Sequence, residues 1–334
     1  MRAVGADPAR QREWNATLRE YHTSDDAMQT CLDLARIAAR TTLPVLILGE
    51  TGTGKTLLAR VIHNSSRRAR NPFVAFNAAA LSETLLDSQL FGHEKGAFTG
   101  ADRRIKGKFE LADEGTLFLD EIADMSPTAQ AKILRAVEYG EFERLGSEQL
   151  LEADVRLISA THLPITRYLH TDTFRKDLFY RISGITLRVP ALRDRPNDLR
   201  SLMASEIATA SAAQEKAIVG LSRTAADRLL AYHWPGNLRE LKRVIDTAVA
   251  ITDGEVIEVD ALLMESGAGP DETGGTNPAV ALPRPSPPEG DLSLAAAERR
   301  HIVAVLEQCG NNKRRAARLL GLARSTLDRK LAML

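Results

Sequence analysis

The 334-residue chain holds only two cysteines, Cys31 and Cys309, far apart and without metal-ligand or redox spacing. That excludes a disulfide-framed scaffold and a thiolate metal site, fits a reducing compartment, and leaves both thiols as small packed apolar residues. No apolar run approaches the ~20 residues needed to cross a bilayer. Residues 1–12 are polar and lack the apolar core of a signal peptide, so the chain is expected in the cytoplasm. Net charge is also missing: 44 basic residues face 44 acidic ones, so any surface for nucleic acid has to be local. What is present, 44% hydrophobic and 26% charged residues, is the composition of a globular protein, and the length suits two or three domains.

The chain is organised around Gly49-Glu50-Thr51-Gly52-Thr53-Gly54-Lys55-Thr56, which fits the phosphate-binding pattern G-x-x-x-x-G-K-[ST]. The apolar run Leu43, Val45, Leu46, Ile47 and Leu48 precedes it as a buried strand. Leu57, Leu58, Ala59, Val61 and Ile62 follow at helical spacing. The glycines let backbone N–H groups approach phosphate oxygens, and the helix N-terminus favours their charge. Lys55 is expected to reach the β- and γ-phosphates, and Thr56 to offer its hydroxyl to Mg²⁺.

Upstream, residues 1–22 read as a polar tail. Ser24-Asp25-Asp26 then opens a helix with Met28, Cys31, Leu32, Ala35, Ala38 and Ala39 on its apolar stripe. This leaves no room before the phosphate loop for a sensory domain of ~100 residues. Downstream, 72–77 reads as a strand ending at Asn77. Residues 90–101 read as a long loop with exposed aromatics Phe91 and Phe98, and long loops in compact domains are usually functional. Thr116-Leu117-Phe118-Leu119-Asp120-Glu121 is a strand ending in two acids, as in a Walker B element. Asp120 would position Mg²⁺, and Glu121 would orient and polarise the attacking water. Ser126-Pro127 starts another helix, 155–162 another strand with a polar tip, and 185–189 a last one. Alternating strands and helices predict a three-layer α/β domain with a parallel sheet. Ligands of such sheets bind at the carboxyl ends of the strands, where Gly49, Asn77, Glu121 and Thr161 fall.

Residues from Pro196 to about Leu263 read as helical without a strong strand, with Asn237 as a cap for the last helix. Residues 266–290 are rich in Gly, Pro, Ser and Thr and read as a linker. Beyond it, residues 313–320 and 325–331 suggest two short helices about Gly321, a helix-turn-helix. There Arg299, Arg300, Lys313, Arg314, Arg315, Arg318, Arg324, Arg329 and Lys330 outnumber Asp291, Glu298, Glu307 and Asp328, a local positive field for DNA phosphates.

Together these motifs resemble the bacterial enhancer-binding proteins, the AAA+ activators of sigma-54 RNA polymerase. The likeness covers roughly residues 24–263 for the ATPase and 291–334 for a Fis-type helix-turn-helix. A phosphate loop alone is common to many families. The specific match is Gly96-Ala97-Phe98-Thr99-Gly100-Ala101, the family's signature for touching sigma-54. The resemblance implies five segments: a tail (1–22), an AAA+ three-layer α/β P-loop ATPase subdomain (23–192), a helical lid (193–265), the linker (266–290) and an all-α DNA-binding domain (291–334).

The resemblance also implies site roles. Residues 49–56 bind ATP, with Mg²⁺ held through Thr56 and Asp120. Asn77 is similar to the residue that holds the catalytic glutamate, Thr161 lies in the sensor I strand, and Arg239 looks like sensor II. Arg175 and Arg181 look like arginine fingers that reach a neighbouring subunit, which implies a homo-oligomeric ring, a hexamer in this family. Lys313, Arg314, Arg324, Ser325, Thr326, Arg329 and Lys330 would face double-stranded DNA at upstream activator sites. With no receiver domain in this sequence, the resemblance leaves two options: the subgroup regulated in trans by separate proteins, or a truncated chain. The expected function is ATP-driven remodelling of the sigma-54 RNA polymerase closed complex. Two other classes remain: a general AAA+ remodeller with a DNA-binding tail, which would not need the 96–101 loop, and a repressor with an inactive nucleotide fold, against which intact Lys55, Asp120, Glu121, Arg175 and Arg181 speak.

Overall fold

The computed structural model describes residues 15–79, 82–165 and 173–264, together with Lys313 and Ala317. The chain divides into two units, Met1–Gly269 and Pro270–Leu334.

In the first unit, helix α1 (Asp26–Arg40) starts where the Asp25 carboxylate accepts the N–H groups of Ala27 and Met28, and it buries the stripe Met28, Cys31, Leu32, Ala35, Ala38 and Ala39. Strand β1 (Val45–Leu48) runs into the phosphate loop and helix α2 (Lys55–Asn64). Then come β2 (Phe73–Asn77), α3 (Glu83–Phe91), the two-residue strands β3 (Gly92–His93) and β4 (Ile105–Lys106), and the short α4 (Lys108–Leu111). Strand β5 (Thr116–Asp120) is followed by α5 (Pro127–Tyr139), whose first turn is capped by Ser126 Oγ accepting the Ala129 N–H. The hairpin β6 (Glu141–Glu143) and β7 (Leu150–Glu152) leads to β8 (Arg156–Thr161), α6 (Lys176–Ile182) and β9 (Ile185–Arg188).

The central five-stranded sheet has the order β2-β5-β8-β1-β9, parallel throughout. Alternation in β1 sends Val45 and Ile47 to one face, with α1 and α2, and Leu46 to the other, with Phe91, Ile133 and Leu178. Both faces are covered, which is why the strands read as continuous apolar runs. Register pairs Leu48 with Thr161 and Asn77 with Asp120, so the polar strand tips share one edge of the sheet.

A helical layer follows: α7 (Pro196–Ala213), α8 (Arg223–Leu230) and α9 (Asn237–Ile251), packed around fully buried Trp234 with Leu199, Leu241 and Val244. A two-residue parallel pair, β10 (Gly220–Leu221) with β11 (Val256–Ile257), lies in this region, where the sequence predicts helices alone. No helix among the described residues is long and apolar enough to cross a membrane. In the second unit Lys313 and Ala317 are helical, with Lys313 exposed and Ala317 buried. The expectations for Arg314, Arg324, Ser325, Thr326, Arg329 and Lys330, and for residues 1–14 and 266–290, lie outside the described residues.

Three local expectations are corrected. Leu18, assigned to a polar tail, is buried and donates its N–H to Ser65 Oγ at 2.9 Å; one apolar residue in a polar stretch carries no periodic signal. Phe91 is the buried end of α3 rather than an exposed loop aromatic, stacked on Phe109 at 5.5 Å. Asn237 is not a cap: Gly236 takes that place, and Asn237, at φ +53°, reaches outward to the phosphate loop.

Candidate functional site

The loop between β1 and α2 is held by its own backbone and by the helical layer. Gly49 donates its N–H to Thr161 O at 3.3 Å, and buried Thr53 turns its hydroxyl back to Glu50 O at 2.8 Å. Lys55 Nζ donates to Gly49 O and Glu50 O at 2.8 and 3.2 Å and lies 3.7 Å from Glu121 Oε1. Gly52 has φ +82° and accepts the Leu238 N–H at 3.0 Å. A Cβ there would stand 2.2 Å from Gly236 O, so only glycine allows this approach. Gly54 takes the N-cap position of α2 at φ +99°, which puts Lys55 and Thr56 in the first turn. Arg239, at the start of α9 and exposed, stands beside Gly52.

The Glu50 carboxylate is bound by the helical layer. Both its oxygens take hydrogen bonds from the Arg193 guanidinium, at 2.8 and 2.5 Å, and Asn237 Nδ2 adds a third at 3.1 Å. The Arg193 bonds hold its carboxyl below the ordinary carboxylate range despite burial. Asn237, fully buried, also donates to Thr51 O and accepts the Leu192 N–H. The helical layer therefore grips the phosphate loop through Arg193, Asn237 and Leu238. Sequence reasoning missed Arg193; the available signal was the Arg193-Asp194-Arg195 run directly after the last strand, at the ligand edge of the sheet.

Asp120 ends β5 at the same edge, and Glu121 directly follows the strand. Burial, and then the charge of Glu121, push the Asp120 carboxyl up, against the opposing charges of Lys55 and Arg239. Thr56 and Asp120 are hard oxygen donors of the kind Mg²⁺ takes alongside phosphates. Glu121, at φ +55°, accepts both the His162 backbone N–H (3.1 Å) and the His162 Nδ1 hydrogen (2.7 Å) on Oε2. Burial raises its carboxyl, but these bonds and Lys55 outweigh that and leave it below the ordinary range. Thr161 is fully buried, its hydroxyl accepting the Leu163 N–H. Asn77 Oδ1 accepts the Ala79 N–H at 2.8 Å and, among the described residues, forms no bond with Glu121, contrary to expectation.

Arg175 is the N-cap of α6 and Arg181 lies in its last turn, and both are exposed. Arg175 pairs with Asp177, and Arg181 donates to Val137 O and Glu138 O. Among the described residues neither bonds to residues 49–56.

The loop 96–101 springs from the β3–β4 pair. Gly96 and Gly100, at φ +84° and +97°, bracket a turn closed by Gly96 N–H to Ala101 O and Ala101 N–H to Phe98 O. Phe98 is half-buried, its ring edge-on to His93 at 5.0 Å, while Thr99 is exposed. At the base, Glu94 meets Arg104 and the buried Arg144, whose guanidinium also grips Glu110 at 2.9 and 2.6 Å. Arg144 follows β6, which continues from α5, the helix after Glu121, and α5 is tied to α3 through the Lys132–Asp87 ion pair. A continuous set of packed elements thus links the Asp120–Glu121 strand to the loop.

Comparison with known proteins agrees along the chain. The sigma-54 interaction domain matches residues 21–188, an AAA+ ATPase lid domain residues 193–277, and the Fis family of bacterial regulatory proteins residues 293–334. The chain is 45% identical over 309 residues to the transcriptional regulatory protein ZraR of Klebsiella oxytoca, covering 92% of this chain and 67% of that one. It is 43% identical over 308 residues to the regulatory protein AtoC of Escherichia coli K12, covering 91% and 65%. Among solved structures, NtrX of Brucella abortus in complex with ATP is similar at 32% identity and a TM-score of 0.66, covering 94% of this chain and 69% of that one. The same protein in complex with ADP gives a TM-score of 0.69.

Proposed function

Because the chain belongs to the sigma-54-dependent transcriptional regulators, with an AAA+ ATPase fold and a Fis-type DNA-binding domain, we propose that it hydrolyses ATP to remodel the closed complex of sigma-54 RNA polymerase. Residues 49–56 take the nucleotide phosphates, with Lys55 as their counter-charge and Arg239 closing from the helical layer. Thr56 and Asp120 hold Mg²⁺, which neutralises phosphate charge when bound. Glu121 orients the attacking water. Arg175 and Arg181 complete the site of a neighbouring subunit in a homo-oligomeric ring, where such a group can contribute ~10³-fold or more to phosphoryl transfer.

The loop 96–101 touches sigma-54, and residues 291–334 hold upstream DNA through Lys313, Arg314, Arg324, Ser325, Thr326, Arg329 and Lys330. The protein works in the cytoplasm, under a separate regulatory protein or a further segment of its own. What supports this reading most is that one sheet edge carries both the phosphate loop with Glu121 and, through α5 and Arg144, the anchored loop with Thr99 at its tip.

The test separates binding from chemistry. Lys55→Ala should lose nucleotide affinity. Glu121→Gln should retain binding and lose about 10²-fold or more in turnover, the contribution typical of a positioned general base. Parent activity per subunit should rise with protein concentration, as a shared site requires. Equal loss of binding in the two variants would refute the role of Glu121.

A further inference from the structure

Two groups contend for the Glu121 carboxylate. On Oε2, His162 supplies its backbone N–H at 3.1 Å and its ring Nδ1 at 2.7 Å; a carboxylate only accepts, so Nδ1 carries the hydrogen whichever charge the ring has. On Oε1, the Lys55 ammonium waits at 3.7 Å, beyond hydrogen-bond reach but inside ion-pair range. Lys55 is 6% exposed and Glu121 13%, so little water screens the attraction. The Glu121 backbone sits in the left-handed region, a conformation that persists only where the surroundings hold it. Among the described residues no other side chain bonds to this carboxylate, and Asn77 spends its amide oxygen on Ala79.

We propose that His162 is a positioning residue that holds the Glu121 carboxylate off the Lys55 ammonium, keeping Lys55 available to phosphate and Glu121 available to water. The proposal rests on the ATPase reading above. Without the imidazole, opposite charges under 4 Å apart close on each other. Glu121 then competes with the nucleotide phosphates for the same ammonium, and its orientation toward water is lost. His162 thus affects nucleotide affinity through a residue that need not touch nucleotide before hydrolysis, and the effect requires the charge on Glu121.

The test is a double-mutant cycle on the full chain, with ATP affinity and steady-state turnover as separate readouts. His162→Ala is expected to weaken ATP binding by about fivefold and to lower kcat by about tenfold or more, the scale of a misplaced catalytic group. His162→Asn, whose amide nitrogen takes the place of Nδ1, should restore both to within about threefold. In a Glu121→Gln background, where a neutral amide no longer seeks the ammonium, His162→Ala should leave ATP affinity within about twofold. Unchanged affinity in the single His162→Ala variant, an equal loss in both backgrounds, or Asn behaving no better than Ala would each overturn the proposal. A parent chain that binds ATP without hydrolysing it would instead refute the ATPase reading, and the binding cycle would still judge His162.

Discussion

His63 shows how one side chain sets a pH limit on the fold. It lies in α2 with 2% exposure, its Nδ1 2.9 Å from Thr116 Oγ1 and its ring 5.2 Å from Phe73. Burial, then the charges of Arg60 and Arg156, push its pKa from 6.5 down to about 4. Above pH 6.5 the ring is neutral in the folded and unfolded chain alike. Below it the unfolded chain binds a proton that the folded chain refuses until about pH 4. Its contribution is therefore complete above pH 6.5 and is lost as pH falls from 6.5 toward 4, by up to ~1.4 kcal/mol per pH unit. Urea unfolding at pH 7, 6 and 5 should show this slope, and His63→Gln should flatten it; identical slopes would contradict the assignment. At this scale the sequence is legible where chemistry is local. Lys55, Asp120 and Glu121 sit in contiguous motifs and were placed from them. The partners of these groups were not, because their bonds bridge sequence separations of 41 residues for His162 to Glu121, 143 for Arg193 to Glu50 and 187 for Asn237 to Glu50. No spacing rule encodes such distances.

Among the elements, those with strong period or a cap signal were readable: the α1 stripe, the Ser126-Pro127 start of α5, and the apolar β5 and β8 strands. The β6–β7 hairpin was not, since strands of three residues give too little alternation to register. Yet it supplies Arg144, the buried guanidinium that pairs with Glu110 and Glu94 and anchors the base of the 96–101 loop. The grip of α9 on the phosphate loop was hidden as well, and it makes a prediction. Gly52→Ala forces a Cβ to within 2.2 Å of Gly236 O, a backbone atom that cannot rotate away, at φ +82°, whereas Gly96→Ala meets only open space at a similar φ of +84°. Both carry the strain of a left-handed residue, about 1–2 kcal/mol. Gly52→Ala alone must also separate loop from helix. It should lower the thermal midpoint more than Gly96→Ala and weaken ATP binding by about tenfold or more, while Gly96→Ala leaves ATP binding near that of the parent. Equal affinities in the two variants would show that the contact between Gly52 and Gly236 does not shape the site.

Across the molecule, the parallel sheet, the helical layer and the family were all legible, because alternation, the phosphate loop and the 96–101 segment recur as continuous strings. The central claim is that hydrolysis at one end of this layout is converted into work on sigma-54 at the other. Thr99 is the place to break that link. It is exposed within the 96–101 loop and belongs to none of the buried clusters among the described residues. The measurement is promoter opening by Thr99→Ala in a reconstituted system with sigma-54 RNA polymerase, alongside co-migration with sigma-54 and ATP turnover of the same preparation. The account predicts that ATP binding persists and turnover remains substantial, while sigma-54 contact and open-complex formation are lost. Opening equal to that of the parent would contradict it and would favour a general AAA+ remodeller that acts through another surface.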